Sequence, residues 1–309
     1  MKPHKFAKFT WAVTAFNIFV VLWGAFVRAT GPGAGCGSHW PLCNGVALPV
    51  DPSIKTIVEL THRVTSGLCW IGTLVIWVVA VRGFGKGHPT RSAAGWSLFF
   101  MTTEALVGAG LVLFRMVAEN PSTARAAWMS AHLINTFLLL AALTWLAFSA
   151  WHRDGARLPR DRHFKWLLGG AGVVVLLVGV SGAVAALGDT LFPAASLVEG
   201  LREDLSPTSH LFLRLRLWHP VIAVLGSGYL IWLATVLPRR GPDRRVAKLA
   251  WALGGLVLIQ IAVGLLNVAL LAPVWAQLLH LFIADATWIT LVLLALSSPP
   301  PISDASVMS

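Results

Sequence analysis

The stretch Ile57-Val58-Glu59-Leu60-Thr61-His62-Arg63 opens a long apolar run that ends near Val81. It places a carboxylate, an imidazole and a guanidinium within one and a half helical turns, because residues three and four positions apart share a helix face. An apolar run of this length predicts a membrane-spanning helix. Ionisable groups at the mouth of such a helix are costly in lipid, so this stretch is a candidate functional site.

The composition of the whole chain indicates a membrane protein with several spans. Its 309 residues are 56% hydrophobic and only 12% charged, against roughly 25% charged residues in ordinary soluble proteins. Several apolar stretches exceed the ~18 residues that mark a spanning helix. The predicted spans cover residues 10–30, 57–81, 95–116, 126–150, 166–187, 214–237, 247–271 and 274–297.

The net charge of +11 is distributed in a way that predicts membrane topology. Cations concentrate before span one and between spans two and three, four and five, and six and seven. These residues are Lys2, Lys5, Lys8, Arg82, Lys86, Arg91, Arg153, Arg157, Arg160, Arg162, Lys165, Arg239, Arg240, Arg244, Arg245 and Lys248. The positive-inside rule then places both termini in the cytoplasm. The basic excess is explained by topology, so we expect no nucleic-acid partner.

Four features of the first half recur in the second half at a nearly constant offset. The matched pairs are His62 with His219, His132 with His280, Glu104 with Gln260, and Gly24 with Gly182, at offsets of 157, 148, 156 and 158 positions. Because each unit has an even number of spans, the two copies have the same orientation. The predicted fold is an all-α polytopic membrane protein built from two tandem four-helix bundles. The bundles cover residues 1–152 and 153–309, and the second ends in a disordered cytoplasmic tail after Ser297.

The four repeated histidines each enter an even-numbered span from the same, outer side. A lone intramembrane histidine commonly forms an interhelical hydrogen bond, and this structural role stays open. Four histidines at repeat-related positions favour bis-histidine ligation of haem iron, with two imidazoles facing each other across each bundle. Zinc would need more ligands nearby, and the apolar walls suit a porphyrin better.

The two halves differ at one informative position. When His62 is aligned with His219, Glu59 aligns with Arg216. Arg216, with Arg214 further out, is predicted to contact haem propionates, because guanidinium and carboxylate groups pair in bidentate fashion. A carboxylate at that place would repel propionates, so Glu59 must serve another purpose. We expect a permanent haem in the second half and a haem that is acted upon in the first. The alternative for Glu59 is an intrahelical pair with Arg63, worth a few tenths of a kcal/mol at an exposed helix end.

The connection between spans one and two contains Cys36 and Cys43 in a Gly- and Pro-rich setting. On the outer, oxidising side of the membrane, this arrangement favours a disulfide. A metal site that includes His39 is the alternative. A disulfide here could brace the loop or be redox-active.

Taken together and in this order, these motifs resemble those of one protein family. The order Gly-Cys-(x)6-Cys-(x)15-Glu-(x)2-His-Arg is followed by Ala131-His132-Leu133-Ile134-Asn135-Thr136, Trp218-His219-Pro220 and His280-Leu281-Phe282-Ile283-Ala284-Asp285. This series resembles the haem A synthase family over nearly the whole chain. One departure is Asn44, where members of that family often carry histidine.

The resemblance implies an enzyme that oxidises the C8 methyl group of haem O to a formyl group in two successive hydroxylations. The product is haem A for terminal oxidases. His219 and His280 match the ligands of a haem b, and His62 and His132 match those of the substrate or product haem. Glu59 matches the family's essential glutamate, and Cys36 and Cys43 its outer cysteine pair. Candidate partners are haem O synthase, a membrane electron acceptor and further copies of this chain.

Two other function classes are considered. A dihaem b-type membrane electron carrier would favour ligands at two depths, whereas all four histidines here are predicted on the outer side. It would also have no use for the Glu59 and Arg216 difference. A transporter built on parallel repeats would favour broken helices at mid-membrane, which the sequence does not indicate.

Overall fold

The computed structural model describes residues 3–152, 162–240 and 243–297. Within these ranges the chain forms ten α-helices and no β-strand. The helices are α1 (Pro3–Thr30), α2 (Ile54–Gly83), α3 (Pro89–Leu113), α4 (Thr123–Trp151), α5 (Arg162–Leu191), α6 (Leu197–Leu205), α7 (Leu211–Arg216), α8 (Trp218–Val236), α9 (Arg244–Ala269) and α10 (Val274–Leu296).

The eight predicted spans are confirmed as helices that are long and apolar enough to cross a membrane. Several begin earlier than predicted, since α1 starts at Pro3 and α2 at Ile54. Span six consists of α7 and α8, which meet at Leu217. Pro220 explains this break, because proline has no N–H to bond the carbonyl four residues earlier. The short helix α6 lies in the connection between spans five and six.

Local sequence sets where several of these helices begin. The hydroxyls of Ser53, Ser122 and Ser196 precede α2, α4 and α6, and each accepts a hydrogen bond from the backbone N–H three residues later. Such caps satisfy N–H groups that have no partner within the helix. Capping therefore fixes the first turns of α2 and α4, from which two of the four repeated histidines follow.

The spans pack as two rings of four helices. In the first ring α1, α2, α3 and α4 contact one another in chain order, and α4 closes on α1. In the second ring α5, α8, α9 and α10 do the same, and α10 closes on α5. The rings meet through α1, α4, α5 and α10. The all-α fold is confirmed, while the duplication and the two domain ranges stay predictions. The predicted boundary at residue 153 and the tail beyond Ser297 lie outside the described residues.

An aromatic contact fixes the two rings against each other. The rings of Phe137 on α4 and Trp288 on α10 stack with centroids 5.4 Å apart. The Trp288 indole N–H donates to the Phe137 carbonyl at 2.6 Å. Gly179 on α5 permits this packing, because a Cβ there would lie 2.9 Å from the Phe137 ring. Phe137 lies five residues after His132, and Trp288 lies eight residues after His280. The contact therefore helps to set the relative positions of the two histidine side chains.

Candidate functional site

A continuous cavity of about 1370 Å³ extends through both rings. It is larger than the ~300–1,000 Å³ of ordinary small-molecule sites. Most of its walls are apolar, including Val20, Met101, Leu133, Phe137, Leu139, Val175, Val178, Leu230, Val257 and Leu281. All four repeated histidines line it, as does Glu59. The structure therefore brings the predicted ligands of both halves to one space.

Each histidine lies against a glycine of a neighbouring helix. An ideal Cβ on Gly24 would lie 2.9 Å from the His62 ring, and one on Gly182 would lie 3.0 Å from the His219 ring. The corresponding distances are 3.1 Å from Gly264 to His280 and 3.8 Å from Gly108 to His132. At the first two positions almost any side chain would push against the imidazole. These glycines therefore allow the imidazoles to pack directly against helix backbone.

The second-half pair, His219 and His280, has ring centroids 6.5 Å apart and ring planes at 89°. Ser181 Oγ lies 3.0 Å from His219 Nδ1, so this contact does not occupy Nε2 of that ring. The Gln260 side-chain amide donates to His280 Nε2 at 3.1 Å, while His280 Nδ1 is buried without a partner in the described part of the chain. Each imidazole thus has one nitrogen held by a polar side chain and one available as a ligand.

The first-half pair, His62 and His132, has a carboxylate as its neighbour. Glu104 Oε1 lies 3.4 Å from His132 Nδ1. Glu104 is itself held by Thr136 Oγ1 and by Asn135 Nδ2, the latter at 2.6 Å. His62 Nδ1 is buried and has no hydrogen-bond partner among the described residues. The matched positions Glu104 and Gln260 therefore both contact a histidine, but only the first carries a charge.

These residues fit the iron of a haem in each half. Histidine ligands usually hydrogen-bond a carboxylate or another polar group through the second ring nitrogen, as His219 does here with Ser181. Glu104 lies beside His132 Nδ1 at 3.4 Å, which is within ion-pair distance, although the two form no hydrogen bond. Among the described residues, the buried Nδ1 atoms of His62, His132 and His280 have no hydrogen-bond partner. Such an atom is costly and calls for an occupant. A zinc site would require a tighter cluster of ligands, and the described ranges contain no group of three or more suitable side chains.

Glu59 is buried, with 4% of its surface exposed. Its Oε1 accepts from Arg63 Nε at 3.1 Å and from Arg63 Nη2 at 2.5 Å. Its Oε2 accepts from the backbone N–H of Cys36 at 2.9 Å. The intrahelical pair with Arg63 is therefore present, but at a buried place rather than at the exposed helix end expected from the sequence. The bond from Cys36 was not foreseen, because it joins residues that are 23 positions apart.

Cys36 and Cys43 form the predicted disulfide, which excludes the alternative of a metal site built on their thiolates. Both residues are fully buried. Arg63 Nη1 donates to the carbonyls of His39 and Leu42, at 2.6 and 2.7 Å. One guanidinium thus joins the disulfide loop to the carboxylate of Glu59.

Arg216 lines the cavity, but its guanidinium is paired with two carboxylates. Nη1 donates to Asp189 at 2.8 Å, while Nε and Nη2 donate to Asp204 at 3.0 and 2.6 Å. A propionate contact would have to share this group with Asp189 and Asp204, whose pairing with Arg216 is not evident from the sequence. Arg214 is exposed on α7 and lies outside the cavity lining, so the structure does not bring it to the site.

The fold and the site together define an eight-span membrane protein in which two histidine pairs line one apolar cavity. A family model described as cytochrome oxidase assembly protein, COX15-CtaA, matches residues 7–292. The chain belongs to the COX15-CtaA family.

Individual relatives with two different names match this chain. The chain is 46% identical over 298 residues to a protein of Thermus thermophilus named protoheme IX farnesyltransferase, an alignment that covers 95% of this chain and 48% of that protein. It is 30% identical over 290 residues to heme A synthases of Bacillus mycoides and Bacillus cereus, covering 91% of this chain and 90% of those proteins. The chain thus spans about half the length of the Thermus relative. The resemblance to the haem A synthase family is confirmed.

Proposed function

We propose that the protein is a haem A synthase, which oxidises the C8 methyl group of haem O to a formyl group by two successive hydroxylations. The observation that carries the proposal is the shared cavity of the two histidine pairs, in which Glu59 lies one helical turn from His62. In this proposal His62 and His132 hold the substrate, and His219 and His280 hold a resident haem b. The apolar walls suit the hydrophobic body of the substrate.

The printed names of the relatives support this choice. The Bacillus heme A synthases align with this chain over nearly their whole length. The Thermus protein named protoheme IX farnesyltransferase aligns over only about half of its length, so its name need not describe the half that it shares. Farnesylation of protohaem is the reaction of a haem O synthase, which supplies the proposed substrate. We therefore also propose haem O synthase as a functional partner.

The chemistry fixes what the site must provide. Each hydroxylation replaces one C–H bond of the methyl group by a C–O bond and, with water as the oxygen source, releases two electrons and two protons. The second hydroxylation gives a hydrated aldehyde, which loses water to leave the formyl group. A haem b bound by His219 and His280 would supply one-electron redox chemistry, and a membrane acceptor would take up the electrons.

Glu59 is the proposed catalytic residue. It could stabilise positive charge that develops at the methyl carbon, or accept a proton from the water that adds there. Its ion pair with Arg63 and the N–H of Cys36 hold the side chain as a fixed carboxylate. This favours the electrostatic role, because preorganised charge in a water-poor site needs no rearrangement during the reaction. Arg63 and Cys36 would then be positioning groups.

The proposal is tested by the pyridine haemochrome spectrum of the purified protein, produced in cells that also make haem O. We expect haem b together with haem O or haem A. Haem b alone, unchanged when haem O is supplied, would instead indicate a dihaem electron carrier. A protein without haem would overturn both functions. Fusions to reporters at each connection would test the proposed cytoplasmic termini and the outer position of the histidines in the bacterial membrane.

A further inference from the structure

Two arginines of the cavity have no part in the function proposed so far. Arg28, near the end of α1, is partly buried and lines the cavity. Its Nη1 donates to the Ala186 carbonyl at 2.8 Å and to Thr190 Oγ1 at 3.0 Å, and its Nη2 donates to Gln277 Oε1 at 2.8 Å. All three acceptors are neutral, so these hydrogen bonds orient the guanidinium without forming an ion pair with it.

Arg125, in the first turn of α4, is more completely buried, with 2% of its surface exposed, and it also lines the cavity. Its Nη1 donates to the carbonyls of Ala118 and Asn120, at 2.5 and 3.0 Å. Its Nε is buried and has no hydrogen-bond partner in the described ranges. A buried guanidinium with an unused N–H is expensive unless a ligand completes it.

The other cavity cations have carboxylate partners. Arg63 pairs with Glu59, and Arg216 pairs with both Asp189 and Asp204. Among the residues that the structure describes, neither Arg28 nor Arg125 forms an ion pair. An anion in the cavity would give both guanidiniums the carboxylate partner that Arg63 and Arg216 already have.

Helix geometry aligns both arginines with the first-half histidines. Arg28 follows Gly24, the residue that faces His62, by four positions. Arg125 precedes His132 by seven positions. Arg28 therefore shares a helix face with Gly24, and Arg125 shares one with His132. With a rise of 1.5 Å per residue, Arg28 lies about 6 Å from Gly24 and Arg125 about 10 Å from His132 along the helix axes, in both cases towards the disulfide loop. The two cations therefore lie on the same side of the iron site.

The repeat makes this pair of cations specific to the first half. When Gly24 is aligned with Gly182, Arg28 aligns with Ala186. When His132 is aligned with His280, Arg125 aligns with Pro273. The second half has neither cation at the matched positions. It has Arg216 instead, where the first half has Glu59.

We infer that Arg28 and Arg125 bind the propionate carboxylates of the haem that is held between His62 and His132. Guanidinium groups that are already oriented by neutral acceptors suit planar carboxylates, with which they form short charge-assisted hydrogen bonds. The inference rests on the proposed function, because it assumes a haem at the first histidine pair. It adds how that haem is oriented, with its carboxylates towards the disulfide loop.

The test is an absorption titration of the full-length protein, prepared from haem-limited cells, with haem b and with the dimethyl ester of haem b. The first-half binding step is identified by its loss in His62→Ala. We expect Arg125→Gln and Arg28→Gln each to weaken this step about tenfold or more for free haem b, since a hydrogen bond to a charged group is lost. Neither substitution should weaken binding of the ester further, and lysine at either position should restore part of the affinity.

The matched control is Arg202→Gln, because Arg202 is exposed on α6 and lies outside the cavity. The second-half step, which depends on His219, reports whether each variant is folded. The comparison of acid with ester can be made on the unsubstituted protein alone, which should bind the dimethyl ester about tenfold or more weakly than free haem b. Equal affinity for acid and ester in the unsubstituted protein would overturn the inference and leave the proposed function intact. If the unsubstituted protein lacks a His62-dependent step, the proposed function fails and the inference with it.

Discussion

The carboxylate of Glu59 accepts a hydrogen bond from the backbone N–H of Cys36 across 2.9 Å. The residue that is proposed to act on the substrate is therefore also the residue that holds the disulfide loop. Because Arg63 bonds both Glu59 and two carbonyls of the loop, the loop, the guanidinium and the carboxylate form one unit. Substitutions in the loop should therefore alter the position of the Glu59 carboxylate.

Replacing both cysteines, as in Cys36→Ser with Cys43→Ser, should weaken this unit without abolishing it. A disulfide that closes so short a loop contributes about 2 kcal/mol, so the thermal unfolding midpoint should fall. Haem A formation should decrease but persist, since Arg63 still bonds His39 and Leu42. Complete loss of product with an unchanged unfolding midpoint would contradict this supporting role and point to a redox role of the cysteines.

Removing the guanidinium with Arg63→Ala should cost more than removing the disulfide. Loss of one partner from a buried ion pair destabilises a protein by about 3–5 kcal/mol, and the loop would also lose its two bonds to Arg63. Limited proteolysis should then cut the loop between residues 35 and 50 faster than in the unsubstituted protein. Lysine at this position should rescue little, because it cannot reproduce the forked contacts. Arg202→Ala on the exposed face of α6 is the control, and equal protease resistance of the two alanine variants would refute the account.

Two glycine substitutions should separate the haem sites. In Gly24→Ala the new methyl group would lie 2.9 Å from the His62 ring, and in Gly182→Ala it would lie 3.0 Å from the His219 ring. The first should reduce haem at the first-half site and leave haem b at the second, and the second should do the reverse. Gly228→Ala, at a helical glycine whose Cβ position is open, should change neither. Redox-resolved absorption spectra of the purified variants measure both sites, and equal loss at both sites in each variant would contradict the assignment.

The matched pair Glu104 and Gln260 should tune the two haems differently. A carboxylate beside a ligating imidazole increases its electron donation to the metal, so Glu104→Gln should raise the reduction potential of the first-half haem. It should also weaken haem binding there by about 10–100-fold, the usual effect of removing such a partner. The exchange Gln260→Glu should lower the potential of the second-half haem. Potentiometric titration measures both, and unchanged potentials would show that these contacts do not act through the histidines.

The sequence was sufficient for the eight spans and for the four histidines that line the cavity, because both depend on local and repeated signals. Apolar runs and cation positions define the spans, and the offset of His62 to His219 identifies the histidines without knowledge of packing. The break before Trp218 was missed, although Pro220 is a local signal for it.

Contacts between distant segments could not be predicted. Arg28 bonds Ala186, which is 158 positions away, and Glu59 bonds Cys36 through its backbone, where side-chain identity gives no signal. Arg214 was predicted to contact a propionate, but its side chain is exposed and lies outside the cavity. The sequence could not show this, because the exposure of Arg214 depends on how α7 packs against distant segments. Arg28 could have been noticed as a cation near the end of a span with Ala186 as its repeat counterpart.

The most direct test of the central claim is the haem extracted from Glu59→Gln, produced together with haem O synthase. The variant should retain both haems, because Glu59 is not an iron ligand, while conversion of haem O to haem A should collapse. Glu199→Gln, on the exposed face of α6, should convert haem O like the unsubstituted protein. Undiminished haem A in Glu59→Gln would contradict the account.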